Sequence, residues 1–312
     1  MGRQLSQAIA PQFDSAADFA EGLALVGFEN TYGYINPAGK VVIKPDAEVQ
    51  GMSSFSEGLA IVQLGGFQTC LDRKGQLLTQ IQFDEIAPFS QGLAAIRSGR
   101  KYGYINKTGK VVVPLQFELA GKFSEGLAAV KLNGLYGYIN PQGKLVIEPQ
   151  FNDAWSFSGR LAAIRQGRQW GYLNQQKQVV IQPQFEGAFP FSESLARVRM
   201  GQRWGFINSQ GKDIIPFQFS FATDFADGLA AVEVNQQWGY ISPSGRWAIR
   251  PQFEFAAPFS EGLAAVKMTG KWGYIGKTGQ PVDSAQFNDV GPFSGGLARV
   301  QVGEQWGYVS QV

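Results

Sequence analysis

The chain has 312 residues, of which 44% are hydrophobic and 17% are charged, and its formal net charge is +2 at pH 7. This composition is typical of a folded soluble protein, and so small a net charge gives no reason to expect a nucleic-acid partner. A single cysteine excludes an internal disulfide bond, and the absence of histidine removes the commonest general base and metal ligand. The sequence has no run of about 18 apolar residues, so we expect no transmembrane helix.

The N-terminal segment predicts a partial strand. Residues 7–13 match residues 247–253, which are predicted to form a third strand in a later repeat. We therefore predict that residues 1–10 are a partial third strand, without the two strands that precede it elsewhere. The first residues also lack the apolar centre of a signal peptide, which predicts a cytoplasmic protein. A periplasmic or cell-surface location is the alternative if the natural chain starts further upstream.

One pattern of about 34 residues recurs nine times along the chain. Each copy reads Gln-Phe, then Phe-Ser-x-Gly-Leu-Ala, then an aromatic residue followed by Gly-Tyr-Ile-Asn, and then Gly-Lys before a β-branched run. The leucine of the second phrase marks the period and stands at Leu23, Leu59, Leu93, Leu127, Leu161, Leu195, Leu229, Leu263 and Leu297. We predict a single array, residues 1–312, whose repeats span approximately residues 11–44, 45–80, 81–114, 115–148, 149–182, 183–216, 217–250, 251–284 and 285–312.

Each repeat predicts three short strands rather than helices. In the third repeat, residues 93–97, 102–106 and 110–113 are strand-length runs rich in β-branched and aromatic residues. A turn at residues 106–109 separates the second run from the third, and it closes on a glycine that accepts positive φ. Pro114 is predicted to end the third run, because proline cannot donate to a strand ladder. Each repeat is therefore predicted to be a three-stranded meander followed by a loop of about ten residues.

The array is predicted to be all-β, because three-stranded repeats with apolar groups on both faces must stack on their neighbours to form a core. A closed β-propeller-like ring would let the N-terminal strand complete the last repeat and would remove the exposed edges. Propeller blades usually have four strands, and rings usually have up to about eight blades, whereas this pattern shows three strands and nine repeats. We therefore predict an open, curved β-solenoid formed by a monomer, with the closed ring as the alternative.

Basic residues recur at the end of the predicted first strand. They are Arg97, Lys131, Arg165, Arg199 and Lys267. Stacked in register, these side chains would form a basic stripe that could bind an acidic protein surface or an anionic polymer. The alternative interpretation is that Lys and Arg keep the strand edges soluble. The five residues are our predicted binding residues.

Carboxylates also recur, before the Gly or Ser of the Phe-Ser-x-Gly-Leu phrase. They are Glu21, Glu57, Glu125, Glu193, Asp227 and Glu261. Paired catalytic acids have to lie within several ångströms of each other in a cleft, and nothing in the local spacing pairs these residues. We predict that they lie on a solvated face of the loops, and we predict no catalytic residue.

The recurring aromatic position has two interpretations. Tryptophan in the later repeats could form a ladder that stacks on sugars, but tyrosine takes the position in earlier repeats, as at Tyr102 and Tyr136. A core position filled by any ring that fits explains this variation better. Cys70 stands where other repeats have tyrosine, and the chain has no histidine to activate it. We interpret Cys70 as a structural filler.

The motif Lys271-Trp272-Gly273-Tyr274-Ile275 and its counterpart Gln237-Trp238-Gly239-Tyr240-Ile241 resemble the WG-repeat (KWG-repeat) proteins, a family found widely in bacteria. The resemblance covers nearly the whole chain. It implies an all-β repeat scaffold, with no catalytic residues, cofactor or metal to carry over. We therefore expect a non-catalytic binding or scaffold protein that interacts with another protein, and binding of cell-wall or other polysaccharide is the alternative.

Overall fold

The structure, a computed structural model, describes residues 4–29, 31–45, 49–78, 80–284 and 286–311. The chain forms two compact units. Unit 1 contains Met1–Pro45, Gln202–Phe206 and Asp213–Val312, and unit 2 contains Asp46–Gly201 and Ile207–Lys212. In the described part of the chain, no helix is long and apolar enough to cross a membrane.

The β-strands follow the same order in each repeat: a short strand, then a first, a second and a third longer strand. The short strands are β2 (Ser15–Ala16), β6 (Val49–Met52), β9 (Glu85–Ile86), β13 (Leu119–Ala120), β17 (Asp153–Ala154), β21 (Gly187–Ala188), β25 (Phe221–Ala222), β29 (Phe255–Ala256) and β32 (Asp289–Val290). The first strands are β3 (Ala24–Phe28), β7 (Leu59–Leu64), β10 (Leu93–Ser98), β14 (Ala128–Leu132), β18 (Leu161–Gln166), β22 (Ala196–Met200), β26 (Ala230–Val234), β30 (Leu263–Met268) and β33 (Leu297–Val302).

The second strands are β4 (Thr31–Ile35), β8 (Phe67–Asp72), β11 (Lys101–Asn106), β15 (Leu135–Ile139), β19 (Gln169–Asn174), β23 (Arg203–Ile207), β27 (Gln237–Ile241), β31 (Lys271–Gly276) and β34 (Gln305–Gln311). The third strands are β1 (Leu5–Phe13), β5 (Val41–Ile43), β12 (Val111–Phe117), β16 (Leu145–Phe151), β20 (Val179–Phe185), β24 (Asp213–Phe219) and β28 (Trp247–Phe253). Strand β1 confirms the predicted N-terminal third strand, of which residues 1–3 lie outside the described residues.

The described residues form nine small antiparallel sheets, which confirms the all-β prediction. Seven sheets have four strands, as in β13-β14-β15-β16, while β6-β7-β8 and β29-β30-β31 have three. The prediction of three-stranded meanders is therefore wrong for most repeats, because the predicted loop contains the short strand. In β13, Leu119 pairs with Lys131 and Ala120 pairs with Val130. A strand of two residues is too short to show a periodic pattern in the sequence.

Proline lies inside the third strand and does not end it, which corrects the prediction. Strand β16 continues through Pro149, and its register with β15 shifts between Ile147 and Phe151, the segment that contains the proline. This shift is a β-bulge. Because β16 is the last strand of its sheet, the missing N–H of Pro149 leaves no ladder partner unpaired.

The predicted turn is confirmed, and a second glycine of the repeat has a steric role. The side-chain oxygen of Asn140 accepts a hydrogen bond from the backbone N–H of Gln142 at 3.2 Å, and Gly143 closes this predicted turn with a φ of 77°. The glycine after the aromatic residue allows a close approach of the third strand. A Cβ added at Gly239 would lie 2.6 Å from the carbonyl oxygen of Ile249, so a larger residue would displace the bulged strand.

Consecutive repeats are joined by a recurring set of buried contacts. In unit 2, Tyr138 packs edge-on against Phe157, with ring centroids 5.0 Å apart, and its hydroxyl donates to the carbonyl oxygen of Trp155 at 2.7 Å. The hydroxyl of Ser124 donates to the carbonyl oxygen of Phe157, also at 2.7 Å. The tyrosine hydroxyl makes the same bond in unit 1, for example at Tyr240. These aromatic rings form the predicted core. Each aromatic side chain in such a core buries roughly 150–250 Å² of its surface.

The first and last strands of the chain lie in one sheet of unit 1. Strand β1 pairs antiparallel with β34 and completes the sheet β1-β34-β33-β32. Tyr308 donates to the carbonyl oxygen of Ala17 at 2.8 Å, and Ser294 donates to that of Phe19 at 2.7 Å. The same contacts join consecutive repeats elsewhere. The predicted open solenoid is therefore wrong, and the closed β-propeller-like alternative agrees with the pairing. The short strand supplies the fourth strand that the sequence pattern does not show.

Candidate interaction surface

Three positions lie side by side near one end of the sheet in all repeats except the second. They are the first residue of the short strand, a residue near the end of the first strand, and the aromatic residue of the second strand. In one sheet Phe255 is opposite Lys267, and Lys267 is opposite Trp272. We call these three positions the surface triplet. The predicted basic residues all occupy its middle position, so the sheet register decides which side chains stand beside them.

In unit 1, successive triplets are joined into a continuous row of rings. We define the aromatic row as Trp204, Phe221, Trp238, Phe255 and Trp272. Neighbouring ring centroids along the row are 6.0, 5.7, 5.0 and 5.6 Å apart. Each phenylalanine of the row belongs to a short strand and lies between the tryptophans of two successive repeats. The row therefore connects repeats and also shapes their surface.

The aromatic row is buried at two of its tryptophans and open at its phenylalanines. Trp238 is 7% exposed, whereas Phe221 and Phe255 are each 43% exposed. Glu233 and Lys267 are the middle residues of the two triplets, so a carboxylate and an ammonium group border the exposed rings. Burial of Trp204 and Trp238 supports the interpretation of this position as part of the core in two repeats, whereas Tyr32 at the same position of the first repeat is 39% exposed. Sequence reasoning missed the exposed rings, because it treated the short strand as loop.

In two repeats of unit 2, the same positions carry opposite charges. Arg97 forms ion pairs with Asp84 at 3.4 Å and Glu85 at 3.0 Å, and Arg165 forms one with Asp153 at 3.5 Å. Glu85 and Asp153 are short-strand residues that stand opposite these arginines. The side chains are partly exposed, so each pair contributes little to stability. The predicted basic stripe therefore contains carboxylates that the sequence pattern did not place there.

The five predicted binding residues are divided between the units. Four of them occupy the middle triplet position of four repeats in unit 2, and we call these the charged row: Arg97, Lys131, Arg165 and Arg199. Lys267 holds the same position in unit 1, beside the aromatic row. The shared position of the five residues agrees with the register that the sequence predicts.

The recurring carboxylates bond to the next repeat, although we predicted a solvated loop face for them. Glu57 accepts a hydrogen bond from the backbone N–H of Gly92 at 2.9 Å and lies 3.1 Å from the Nζ of Lys107. Asp227 accepts one from the N–H of Gly262 at 2.7 Å. Burial acts to raise the pKa of Glu57, but Lys107 and the backbone amides outweigh it, so this pKa lies below its ordinary value.

A second aromatic cluster is exposed in unit 2. Trp155 is 42% exposed and packs against Phe189, with ring centroids 5.6 Å apart. The guanidinium carbon of Arg197 lies 3.6 Å from the centre of the Phe189 ring, where cation–π attraction holds it. Five other repeats have alanine at this position, as at Ala129 and Ala163, and the ninth repeat has Arg299, so Arg197 could have been found as one of the departures from the commonest residue.

The cysteine has no nucleophilic environment. Cys70 is fully buried, and burial raises the pKa of its thiol to about 11, so the thiol stays protonated at neutral pH. This supports its interpretation as a structural filler. Among the residues that the structure describes, no three His, Cys, Asp or Glu side chains lie close enough together to hold a metal ion.

Solved structures similar to the chain share little sequence with it. One is a crystal structure of a eukaryotic initiation factor, with 10% identity and a TM-score of 0.63, in an alignment that covers 98% of this chain and 91% of that chain. Another is apo AztD from Citrobacter koseri, with 12% identity, a TM-score of 0.46 and coverage of 99% and 98%. The first of these similarities shows a common fold alone. A search of curated proteins found no significant match.

The sequence model of the WG containing repeat matches nine consecutive segments of the chain. They are residues 6–31, 32–66, 69–102, 102–136, 136–168, 170–204, 204–238, 238–272 and 272–306. Most of the matched segments begin or end at the aromatic residue of the surface triplet, so the family pattern and the structural repeat have the same period. The chain therefore belongs to the family of proteins built from WG containing repeats.

Proposed function

We propose that the protein is a non-catalytic scaffold that binds another protein at the aromatic row of unit 1. The observation that carries this proposal is the 43% exposure of both Phe221 and Phe255 within an unbroken row of five rings. The buried tryptophans hold the two phenylalanines in place, so little conformational entropy is lost when a partner binds. Aromatic residues with a polar border contribute a large share of the binding energy in protein interfaces.

The charges beside the aromatic row define the chemistry of the partner. Glu233 stands opposite Phe221, and Lys267 stands opposite Phe255. A complementary segment presents an apolar side chain to the rings, a basic residue to Glu233 and an acidic residue to Lys267. Lys267 is also one of the five predicted basic residues. The charged row of unit 2 remains a proposed secondary contact, because carboxylates already pair with two of its arginines.

The ring geometry favours a protein partner over a polysaccharide. A sugar ring stacks on the open, flat face of an aromatic side chain. Neighbouring rings in the aromatic row are tilted by 43° to 70°, and Trp204 and Trp238 are only 9% and 7% exposed. The indole faces of Trp204 and Trp238 are therefore covered, and the most exposed rings of the row are the smaller phenylalanine rings.

Selection from a random peptide library tests this proposal. Peptides are retained on the wild-type protein and removed on the double variant Phe221→Ser, Phe255→Ser, whose folding is checked by circular dichroism. We expect the retained peptides to carry an apolar residue between opposite charges and to lose affinity by at least about tenfold on the double variant. The matched control is Leu119→Ser, a short-strand residue of unit 2 that is 42% exposed, and it should leave affinity unchanged.

Two results would contradict the proposal. One is a set of peptides that bind the wild type, the double variant and the control equally well. The other is saturable binding of soluble oligosaccharides that the double variant loses, which would assign the row to polysaccharide.

A further inference from the structure

The acidic residues that link repeats follow a fixed geometry. Each accepts a hydrogen bond from a backbone amide 34 or 35 residues later in the chain. The glutamine at the same position of the third repeat does this with its side-chain carbonyl oxygen. The pairs are Glu57 with Gly92 at 2.9 Å, Gln91 with Gly126 at 2.9 Å, Glu125 with Arg160 at 3.0 Å, Asp227 with Gly262 at 2.7 Å, and Glu261 with Gly295 at 2.8 Å and Gly296 at 2.9 Å.

A second donor approaches the same carboxylate from the turn between the second and third strands. It belongs to the residue 50 positions after the acid. The Nζ of Lys107 lies 3.1 Å from Glu57, and the side-chain amide of Gln175 donates to Glu125 at 3.3 Å. Each complete link therefore consists of one acceptor from a repeat and two donors from the next repeat.

The fifth repeat lacks this acceptor, while the sixth repeat keeps the donors. Gly159 stands at the acid position. In the sixth repeat, the backbone amide of Ser194 and the hydroxyl of Ser209 stand at the two donor positions. No acceptor pairs with the Ser194 amide among the described residues. Gly159, Ser194 and Ser209 line a cleft of about 360 Å³ in unit 2. We call this cleft the carboxylate cleft and define it by these three residues.

The backbone at the cleft has the shape that binds anions elsewhere in the chain. Glu193 and Ser194 have φ values of 49° and 71°. Gly295 and Gly296, with φ values of 62° and 79°, direct two successive N–H groups to the carboxylate of Glu261. Successive amides in such a turn form a concave anion-binding site.

The charges around the cleft are mixed. The side chain of Arg160 is exposed and follows Gly159 directly in the chain, so a positive charge belongs to the segment that borders the cleft. Glu193 also lines the cleft and carries a negative charge, but it has an interaction of its own. Its backbone conformation is that of the other linking acids, such as Glu57 with a φ of 53°.

We propose that the carboxylate cleft binds the side chain of an aspartate or glutamate presented by a protein segment. The amide of Ser194 and the hydroxyl of Ser209 then donate to the external carboxylate, as the corresponding groups do to the internal carboxylates of other repeats. Arg160 adds a charge-assisted contact. This site lies in unit 2 and does not depend on the aromatic row of unit 1.

Nuclear magnetic resonance of the amide groups tests the proposal directly. The probes are acetyl-Gly-Glu-Gly-amide, the matched acetyl-Gly-Ala-Gly-amide, and acetate, a carboxylate without a peptide. We expect the glutamate peptide to shift the Ser194 amide in a saturable way and to leave the Gly262 amide unchanged, because Asp227 already occupies that link. The proposal is overturned if Ser194 does not respond, or if the alanine peptide produces the same shift. If acetate binds as tightly as the glutamate peptide, the inference that a polypeptide presents the carboxylate is overturned.

Two variants in the cleft should change binding in opposite directions. Gly159→Glu restores an internal carboxylate, and the added Cβ meets only the Phe191 side chain, at 3.3 Å, so peptide affinity should fall by at least about tenfold. Ser209→Lys copies Lys107 and should raise affinity severalfold. Gly295→Glu, at the acid position of the ninth repeat, is the matched control and should leave affinity unchanged. Unchanged affinity in both cleft variants would overturn the proposal.

Discussion

The aromatic row of unit 1 and the charged row of unit 2 occupy the same positions of the same repeat. Phe255 and Asp153 both begin short strands, and they stand opposite Lys267 and Arg165 in the same register. The backbone pairing is alike, yet exposed aromatic rings lie on one surface, and ion pairs of Arg97 and Arg165 lie on the other. The repeat therefore changes its surface chemistry through the short strand and the end of the first strand, while the buried contacts between repeats stay constant.

The largest expected effect tests whether the two surfaces share one scaffold. Tyr138 in unit 2 and Tyr240 in unit 1 are fully buried, and burial raises the pKa of both hydroxyls above the ordinary value of about 10. The stability that such a group contributes is complete below its unfolded-state pKa and is lost as pH rises toward the folded-state pKa. Both units should therefore lose stability above about pH 10.

An alkaline titration followed by tyrosinate absorbance and circular dichroism measures this effect. Ionisation of the buried tyrosines should coincide with loss of the β-sheet signal. Ionisation of these tyrosines while the β-sheet signal persists would contradict their burial, and with it the buried contact that both units share.

Removing one tryptophan from the aromatic row and one beside the charged row tests the difference between the two rows. Trp238→Ala removes a ring that is 7% exposed and lies between Phe221 and Phe255, so it should lower the free energy of unfolding by about 3–5 kcal/mol. The matched variant Trp170→Ala removes a partly buried ring beside Arg165 and should cost less, about 1–3 kcal/mol. Urea unfolding followed by circular dichroism compares the two. Equal costs would mean that the aromatic row is no better packed than the charged row.

A single hydroxyl exchange tests the contacts that the two units have in common. Tyr138→Phe leaves the carbonyl oxygen of Trp155 without its donor and should cost about 1–2 kcal/mol. In unit 1, Phe206 stands at the same position and packs against Phe225 at 4.9 Å, without a hydroxyl. Phe206→Tyr should therefore gain up to about 1 kcal/mol. Thermal unfolding of both variants provides the measurement, and a loss in Phe206→Tyr would show that this repeat has no room for the hydroxyl.

The smallest expected effect on stability concerns the predicted basic residues. Changing Arg97, Lys131, Arg165, Arg199 and Lys267 to Ser should weaken partner binding, because Lys267 borders the aromatic row and the other four form the secondary contact, and it should lower stability only slightly. Isothermal titration with the selected peptides measures the binding. A control of four lysines from the turns changed to Ser should bind normally: Lys40, Lys110, Lys144 and Lys212. Unchanged binding in the fivefold variant would remove these residues from the interaction surface.

The sequence predicts the repeat, its turns and its aromatic core well, because each of these depends on local chemistry. Gly143 follows from the turn, and Tyr138 follows from its recurrence at a fixed spacing. The short strand could not be predicted, because its two residues vary freely, as Leu119 and Phe255 do, and they pair only when the next strand is in place. When the short strand is overlooked, each repeat has only three strands, and this pattern favours the prediction of an open array.

The candidate surfaces were predictable only in part. The shared position of Arg97 and its counterparts follows from the repeat, whereas the acids that pair with it belong to the short strand. The exposure of Phe221 depends on packing between successive repeats, which no single repeat reveals. The carboxylate cleft exists because Gly159 replaces the acidic residue of other repeats. This replacement can be interpreted only after the bonds of the other acids are known.

The pairing of β1 with β34 also has a consequence for synthesis on the ribosome. About 290 residues separate the two strands, so at about 5–20 residues per second β1 waits roughly 15 to 60 s for its partner. Unit 2 is a nearly continuous middle part of the chain and can fold during this interval, while unit 1 can be completed only at the end. Until then, Leu5–Phe13 is an unpaired strand, which can pair with the same strand on another nascent chain of the same polysome.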